Sequence, residues 1–394
     1  MSPASTRAEL LRLVHRGLDV PAYARAVGEL LGRLVPCEGT CLQTMDPATL
    51  LPTGEYVENG LPAAEILRLI EIELREPDVN KWAALRNAGT AAAGLGEATR
   101  GDLDRSLRQR DVRGPGGFAD ELRVVLATGT GTWGGLTLFR EAGRRHFTPE
   151  EVAGVASLAG LIADGLRRAA LLSGAAAPDD PGVLPPDDSG ALVHPPDDSG
   201  VLVLAPDDSV ALCDRAAGHW LDQLGTGDRA GARLPLVIAT VARQARALAT
   251  ARRPASPPAR DTALPSARDT RLPSGAAALP PARARVQTPS GWLLVRGSLL
   301  GDGPDAPVAV TLEAARAPEL APLIAAAYGL TERERRVTEL VARGHPTSRI
   351  AATLHLSAYT VQDHLKSIFD KTGTSSRGDL VARLYFDHYA MRLR

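Results

Sequence analysis

Along the first 172 residues the apolar positions change period twice. Leu10, Leu11 and Val14, then Tyr23, Val27, Leu30, Leu31 and Leu34, recur at helical spacing, which predicts two amphipathic helices. Glu121–Thr128 and Leu136–Phe139 are runs of strand formers with glycines between them, so two strands joined by a tight turn are expected. Thr148-Pro-Glu-Glu151 then marks a helix start: a threonine cap, a proline in the first turn and a glutamate three residues after the cap. Val152, Val155, Leu158, Ile162 and Leu166 continue it as one helix.

The pattern breaks at Ser173. From there to Gly200 the chain is repetitive, and Pro-Asp-Asp recurs at 178, 186, 196 and 206. Eight aspartates suggest calcium, but the alternating acidic ladder and closing glutamate of a calcium loop are missing, and duplication of a hairpin turn accounts for the repeat. Only the last copy leads into an ordered pattern. Val201–Ala205 and Ser209–Cys213 predict strands, Asp214 caps a helix through Leu221, and a second helix is expected over Leu234–Ala249. Arg252–Ala284 holds seven prolines and Ala-Arg-Asp-Thr twice, and reads as a flexible, partly extended spacer. Beyond it, Arg285–Thr288 and Gly291–Arg296 form a hairpin and Val308–Leu312 a further strand.

The last 65 residues carry the densest pattern. Thr331 and Glu334 make a capping box, Val337, Leu340 and Val341 lie on one helical face, and Gly344 ends the helix. A short helix over Thr347–Leu354 buries Ile350 and Ala351, where the close crossing of two helices leaves room for little more than a methyl group. His355-Leu356 turns the chain and Ser357 caps a third helix, Ala358–Lys371, with Val361, Leu365 and Ile368 inward. Its opposite face shows Tyr359, Gln362, Asp363, Lys366 and Asp370. Two helices, a tight turn and a capped third helix spell a helix-turn-helix.

Charge sharpens this picture. The 394 residues carry a net charge of −1, so the whole chain is no polycation. From Leu330 to Arg394, however, eleven basic residues meet seven acidic ones, giving +4 there and −5 elsewhere. Attraction to phosphate is therefore concentrated where the helix-turn-helix lies. Aromatic residues, at 4%, are too sparse for a single-strand stacking platform. Three cysteines without paired Cys-x-x-Cys spacing exclude a disulfide scaffold or a common zinc module, and Cys37 and Cys41 read as buried structural thiols. No secretory signal or membrane-spanning run is visible, so a cytoplasmic location is expected.

Other motifs fail on context. Gly129-Thr-Gly131-Thr-Trp-Gly134 has the letters of a dinucleotide fingerprint, but strands flank it and no helix follows, so its glycines are expected to supply positive-φ turn conformations. No nucleophile elbow, phosphate loop or metalloprotease helix occurs. No catalytic residue, metal ligand or cofactor is expected.

The string Leu-Thr-x-Arg-Glu, then Gly344, Ile350-Ala351, Leu356-Ser357, Thr360-Val361, His364, Lys371, Gly373 and Ser376-Arg377 resembles the LuxR-type DNA-binding domain over about 55 residues. The resemblance implies an all-α four-helix unit whose third helix enters the major groove of double-stranded DNA, as a homodimer on paired half-sites, with dimer contacts from a fourth helix over Arg377–Phe386. Gln362, Asp363 and Lys366 fall on the base-facing positions: glutamine pairs with adenine, lysine donates to guanine, aspartate accepts from cytosine. Ser357, Thr360, His364 and Lys371 fall on phosphate-gripping positions. The residue-level alternatives are a plain solvated face for the first set and an internal packing role for His364. Gln362 stands where the family commonly has a basic residue, Pro346 where it has a serine cap, and Arg349 where it has a glutamate. These departures alter sequence choice, shift the second helix start to Thr347 and remove an ion pair.

The N-terminal stretch resembles a GAF-type sensor domain, and the middle module a PAS-like fold. Together these define a multidomain chain: an α+β GAF-like sensor over 1–172, with room for an unidentified small-molecule ligand; a Pro-Asp-Asp linker over 173–200; a small α+β PAS-like module over 201–315 with the disordered Pro-rich insertion 252–284; and the helix-turn-helix domain over 316–394. Length over roughly 150 residues per domain fits two or three such units. The expected function is sequence-specific transcriptional regulation under sensor control, without enzymatic activity. The competing expectations are a regulator that titrates a protein partner without touching DNA, and an enzyme in the first domain.

Overall fold

The computed structural model describes residues 3–58, 65–172, 199–225, 234–252, 279–301, 303 and 305–386. The first unit opens with α1 (Pro3–Val14) and α2 (Val20–Leu34), the latter capped by Asp19, which accepts from the Ala22 amide at 2.9 Å. There follow β1 (Gly39–Met45), β2 (Pro52–Glu58), α3 (Ile66–Arg75), α4 (Trp82–Asn87), β3 (Ala92–Gly94), α5 (Leu95–Thr99), β4 (Phe118–Thr128) and β5 (Gly131–Glu141). Two helices close it, α6 (Pro149–Ala156) and α7 (Ala159–Leu172). The capping box at Thr148 and Glu151 forms as its sequence dictates. The single helix expected after it is broken instead: Ser157 turns its hydroxyl back onto the Gly154 carbonyl at 2.7 Å, and the chain resumes helical at Ala159.

The strands form one antiparallel sheet in the order β2-β1-β5-β4-β3. Alternation along β4 sends Leu122, Val124 and Leu126 into an apolar core with Leu10, Tyr23, Leu30, Leu136, Ile162 and Leu166. Glu121 and Arg123 go to the other face. There a buried charge network forms that the hydrophobic pattern did not announce. Arg108, fully buried, pairs with Asp78 at 2.7 Å and Glu121 at 2.6 Å; Arg113 also reaches Glu121, and Arg123 reaches Glu73. Burial opposes ionisation of Glu121, but the three guanidiniums outweigh it and hold its pKa below the usual range. Burial likewise lowers Arg113 to about 10. The cavity on this face, lined by Ile66, Glu73, Trp82, Arg113 and Phe139, measures about 60 Å³.

The expectation for the glycine-rich turn is corrected. None of Gly129, Gly131 and Gly134 has positive φ. Gly134 is required by close approach instead, since a Cβ there would lie 2.3 Å from the Gln43 carbonyl oxygen of β1. Cys37 and Cys41 are half-buried rather than fully enclosed, with burial raising the pKa of both thiols, Cys213 is exposed, and none of the three is in a disulfide.

The second unit contains β6 (Gly200–Leu204), β7 (Val210–Cys213), α8 (Arg215–Gln223), α9 (Leu236–Arg252), β8 (Arg283–Thr288), β9 (Gly291–Leu299) and β10 (Val308–Ala314). Asp214 caps α8 by accepting from the Ala217 amide at 2.7 Å. Its sheet runs β7-β6-β10-β9-β8, the same second-first-fifth-fourth-third order as the first sheet. Leu202, Leu204, Trp220, Val241, Leu293 and Val310 share its core. Of the repeat, only the last Pro-Asp-Asp is described; there Asp208 binds Arg243 at 2.6 Å and also pairs with Arg246. The other copies, and most of the Pro-rich insertion, lie outside the described residues. Arg285 fastens this unit to the first through Asp46 at 2.5 Å.

A connecting helix, α10 (Ala317–Ala327), leads to α11 (Glu332–Ala342), α12 (Thr347–Leu354), α13 (Ala358–Thr372) and α14 (Arg377–Phe386). Leu320, Leu323, Ile324 and Ala327 of α10 sink into the first unit's core, while Ala325 joins that of the C-terminal helices. The chain thus joins two α+β units to an all-helical one.

Candidate nucleic-acid interface

The C-terminal unit is built from its caps inward. Thr331 accepts from the Glu334 amide at 3.3 Å, and the Glu334 carboxylate accepts from the Thr331 amide at 2.7 Å. The same carboxylate, only 4% exposed as a residue, accepts from Ser367 and Lys371 of α13, each at 2.6 Å. Burial alone would raise its pKa; the hydrogen bonds from Lys371, Ser367 and Thr331 outweigh burial and hold it at about 2. One side chain therefore caps α11 and ties it to α13.

Gly344 ends α11 with φ +77°, where a side chain would be strained. The next helix begins at Thr347, with Pro346 at the cap making no side-chain hydrogen bond. Arg377 from the start of α14 supplies the missing polar contact, donating to Thr347 Oγ1 at 2.7 Å and to the His345 carbonyl at 3.1 Å. His355 turns the chain in the left-handed region, and the Leu356 amide closes the turn on the Ala351 carbonyl at 2.9 Å. Ser357 then caps α13, accepting from the Thr360 amide at 3.0 Å.

The recognition helix α13 has two faces. Val361, Leu365 and Ile368 are buried against Val337, Leu340, Val341, Ile350 and Leu380, with Leu356 half-buried at the rim. Gln362, Asp363 and Lys366 stand exposed on the opposite side, and among the described residues their side chains have no hydrogen-bond or ion-pair partner. Helical spacing brings the three to one surface. Ser357 and Thr360 sit at the N-terminal end, their hydroxyls 2.8 Å apart. His364 is half-buried on the flank between the faces. Lys371 is already paired with Glu334.

Two basic residues were missed. Arg343, after α11, and Arg349, on α12, are exposed, and their guanidiniums have no partner among the described residues. Arg349 was counted only as a lost ion pair. The signal available was a cation, on the helix preceding the recognition helix, at a position where the family has a glutamate.

A capped helix presenting a bare polar face across a tight turn from its supporting helix defines a helix-turn-helix DNA-binding unit. Residues 329–384 match the family described as bacterial regulatory proteins, luxR family. The spore germination protein GerE of Bacillus subtilis (strain 168) is 38% identical over 55 residues, covering 14% of this chain and 74% of that protein. The chain belongs to the luxR family of bacterial regulatory proteins and is a DNA-binding transcription regulator. Among solved structures, it is similar to the GAF domain of a phosphoenolpyruvate-protein phosphotransferase from Coxiella burnetii: 15% identity, 42% of this chain and 94% of that one, TM-score 0.31. A GAF domain/HD domain protein from Geobacter sulfurreducens is 17% identical over 37% of this chain and 90% of that one, with TM-score 0.27. Among the described residues no helix is long and apolar enough to cross a membrane, and no group of three or more His, Cys, Asp or Glu could hold a metal ion.

Proposed function

We propose that the chain reads a specific duplex sequence with the outer face of α13, as a cytoplasmic, non-enzymatic homodimer, and that the first two units control the reading. The observation that carries the DNA-reading proposal is the exposed, unpartnered set Gln362, Asp363 and Lys366 on a helix whose other face is locked into a core. Glutamine, aspartate and lysine together offer the acceptors and donors that major-groove edges complement. Arg343 and Arg349 hold the backbone, with Ser357 and Thr360 at the helix end. The contacts with a second copy come from α14, whose Val381 is only half-buried against its own unit's core.

Control runs through α10. Its C-terminal carbonyls are taken by side chains of the first unit: Thr130, at the tip of the β4–β5 hairpin, donates to the Ala326 carbonyl at 2.9 Å, and Arg167 of α7 donates to that of Ala327. Gly329 follows with φ +72°, and Thr331, the cap of α11, stands two residues later. A shift in α7 or the hairpin therefore moves the helices that hold α13. A small-molecule signal entering through the first unit's cavity would have to displace α3 or the arginines, because about 60 Å³ falls far short of a ligand site of roughly 300 Å³ or more.

The test is selection of bound duplexes from a random pool by the purified full chain. Enrichment of one motif, repeated with two-fold symmetry, is the expected result. No enrichment at any salt would overturn the reading and favour titration of a protein partner.

A further inference from the structure

The recognition face carries one side chain that its polar chemistry leaves unexplained. Tyr359, in the first turn of α13, is 74% exposed, the highest exposure of any large hydrophobic side chain described. It lies three, four and seven residues before Gln362, Asp363 and Lys366, which puts all four on one stripe. A bare aromatic ring at such a place loses hydrophobic free energy in the unbound chain, and neither the cap nor the core needs it: Ser357 and Thr360 complete the cap and Val361 begins the core.

The charge of the stripe strengthens the point. Lys366 stands against Asp363 and Asp370, so the exposed face of α13 has a net charge of −1, although the unit around it is basic. Coulomb attraction cannot hold this face to a polyanion; the attraction comes from flanking arginines, and the face itself must gain from close non-ionic contact. In the major groove the one strongly apolar feature of a base pair is the thymine C5 methyl group. The N-terminal residues of a recognition helix are those that approach base edges.

We propose that Tyr359 is a specificity-determining residue whose ring packs on a thymine methyl group, so that each half-site carries a thymine selected by apolar contact beside the bases read by Gln362, Asp363 and Lys366. The proposal rests on the DNA-reading function argued above.

The experiment uses the full chain and the duplex it selects from a random pool. Affinities of wild type, Tyr359→Ala and Tyr359→Phe are measured on that duplex and on copies in which single thymines are replaced by deoxyuridine, removing only the methyl group. At one position per half-site the replacement is expected to weaken wild-type binding by about five- to tenfold. Tyr359→Ala should weaken binding to the unmodified duplex by a similar factor and lose sensitivity to uridine there. Tyr359→Phe should keep both. The exposed position leaves folding intact, checked by an unchanged thermal transition. Two results overturn the inference alone: Tyr359→Ala binding as wild type does, or Tyr359→Phe failing like Tyr359→Ala with uridine sensitivity untouched, which would make the hydroxyl a phosphate contact. If wild type enriches no duplex, the DNA-reading function itself fails, and this inference with it.

Discussion

Arg108 in the first unit and Arg349 in the last carry the same side chain into opposite surroundings. Arg108 is fully buried and bound on two sides by Asp78 and Glu121. Arg349 is exposed, and its guanidinium has no partner among the described residues. A buried arginine with its anions beside it has its chemistry consumed by the fold, and removing one member strands the others in a low dielectric. An exposed, unpartnered arginine does little for the fold and keeps its charge for an anion outside it. Across this chain, architecture and function divide along that line, which bare counts of arginine cannot draw.

The comparison breaks first at the buried end. Arg108→Met should cost about 3–5 kcal/mol of unfolding free energy, read by denaturant titration, because Glu121 and Asp78 lose a partner they cannot replace from water. A cost below about 1 kcal/mol would mean the network is more hydrated than its burial implies. At the exposed end Lys366→Ala should leave stability unchanged and weaken specific binding by about 1–3 kcal/mol, with preference relaxed at one base position. Arg349→Ala should instead lower affinity evenly across sequences and reduce the slope of log affinity against log salt by about one.

Glu334 sits between the two cases, buried yet serving the interface by holding α13 to α11. Its folded pKa of about 2 lies below the ordinary carboxylate value of 4.5, so its contribution is complete above that value and is lost as pH falls from about 4.5 toward 2. Glu334→Gln should destabilise the chain by about 1–3 kcal/mol at neutral pH and flatten the acid limb of its stability curve. The smallest effect is expected at the junction. Thr130→Val removes one hydrogen bond to α10, about 0.5–1.5 kcal/mol, and should appear as faster amide exchange around Gly329 with little change in melting temperature.

Much of this was legible from residue order because local chemistry decided it. The caps at Thr148, Asp214, Thr331 and Ser357 need only a side chain and an amide three residues on, and each formed. Helix faces in the last unit follow from spacing alone. Where contacts between distant segments decide, the pattern was silent. The network around Glu121 needs β4, Glu73 of α3, the Asp78 loop and the segment carrying Arg108 and Arg113 brought together, and along β4 it reads only as polar residues alternating with apolar ones. The allegiance of α10 is set by Leu320, Leu323 and Ile324 meeting a core more than a hundred residues earlier. Gly134 is glycine because a neighbouring strand passes 2.3 Å from where its Cβ would sit, a fact about β1 rather than about the turn. At the interface, Gln362, Asp363 and Lys366 were readable by spacing, whereas the freedom of Arg349 required knowing which cations are already paired.

Methylation interference on the selected duplex tests the central claim most directly, because guanine N7 methylation obstructs only the major groove and adenine N3 methylation only the minor groove. The account predicts that N7 methylation abolishes binding of the full chain at two patches separated by about 10 base pairs, one helical turn, and that N3 methylation has no such effect. Interference confined to adenine N3, or none at either atom, would contradict the placement of the exposed face of α13 against base edges.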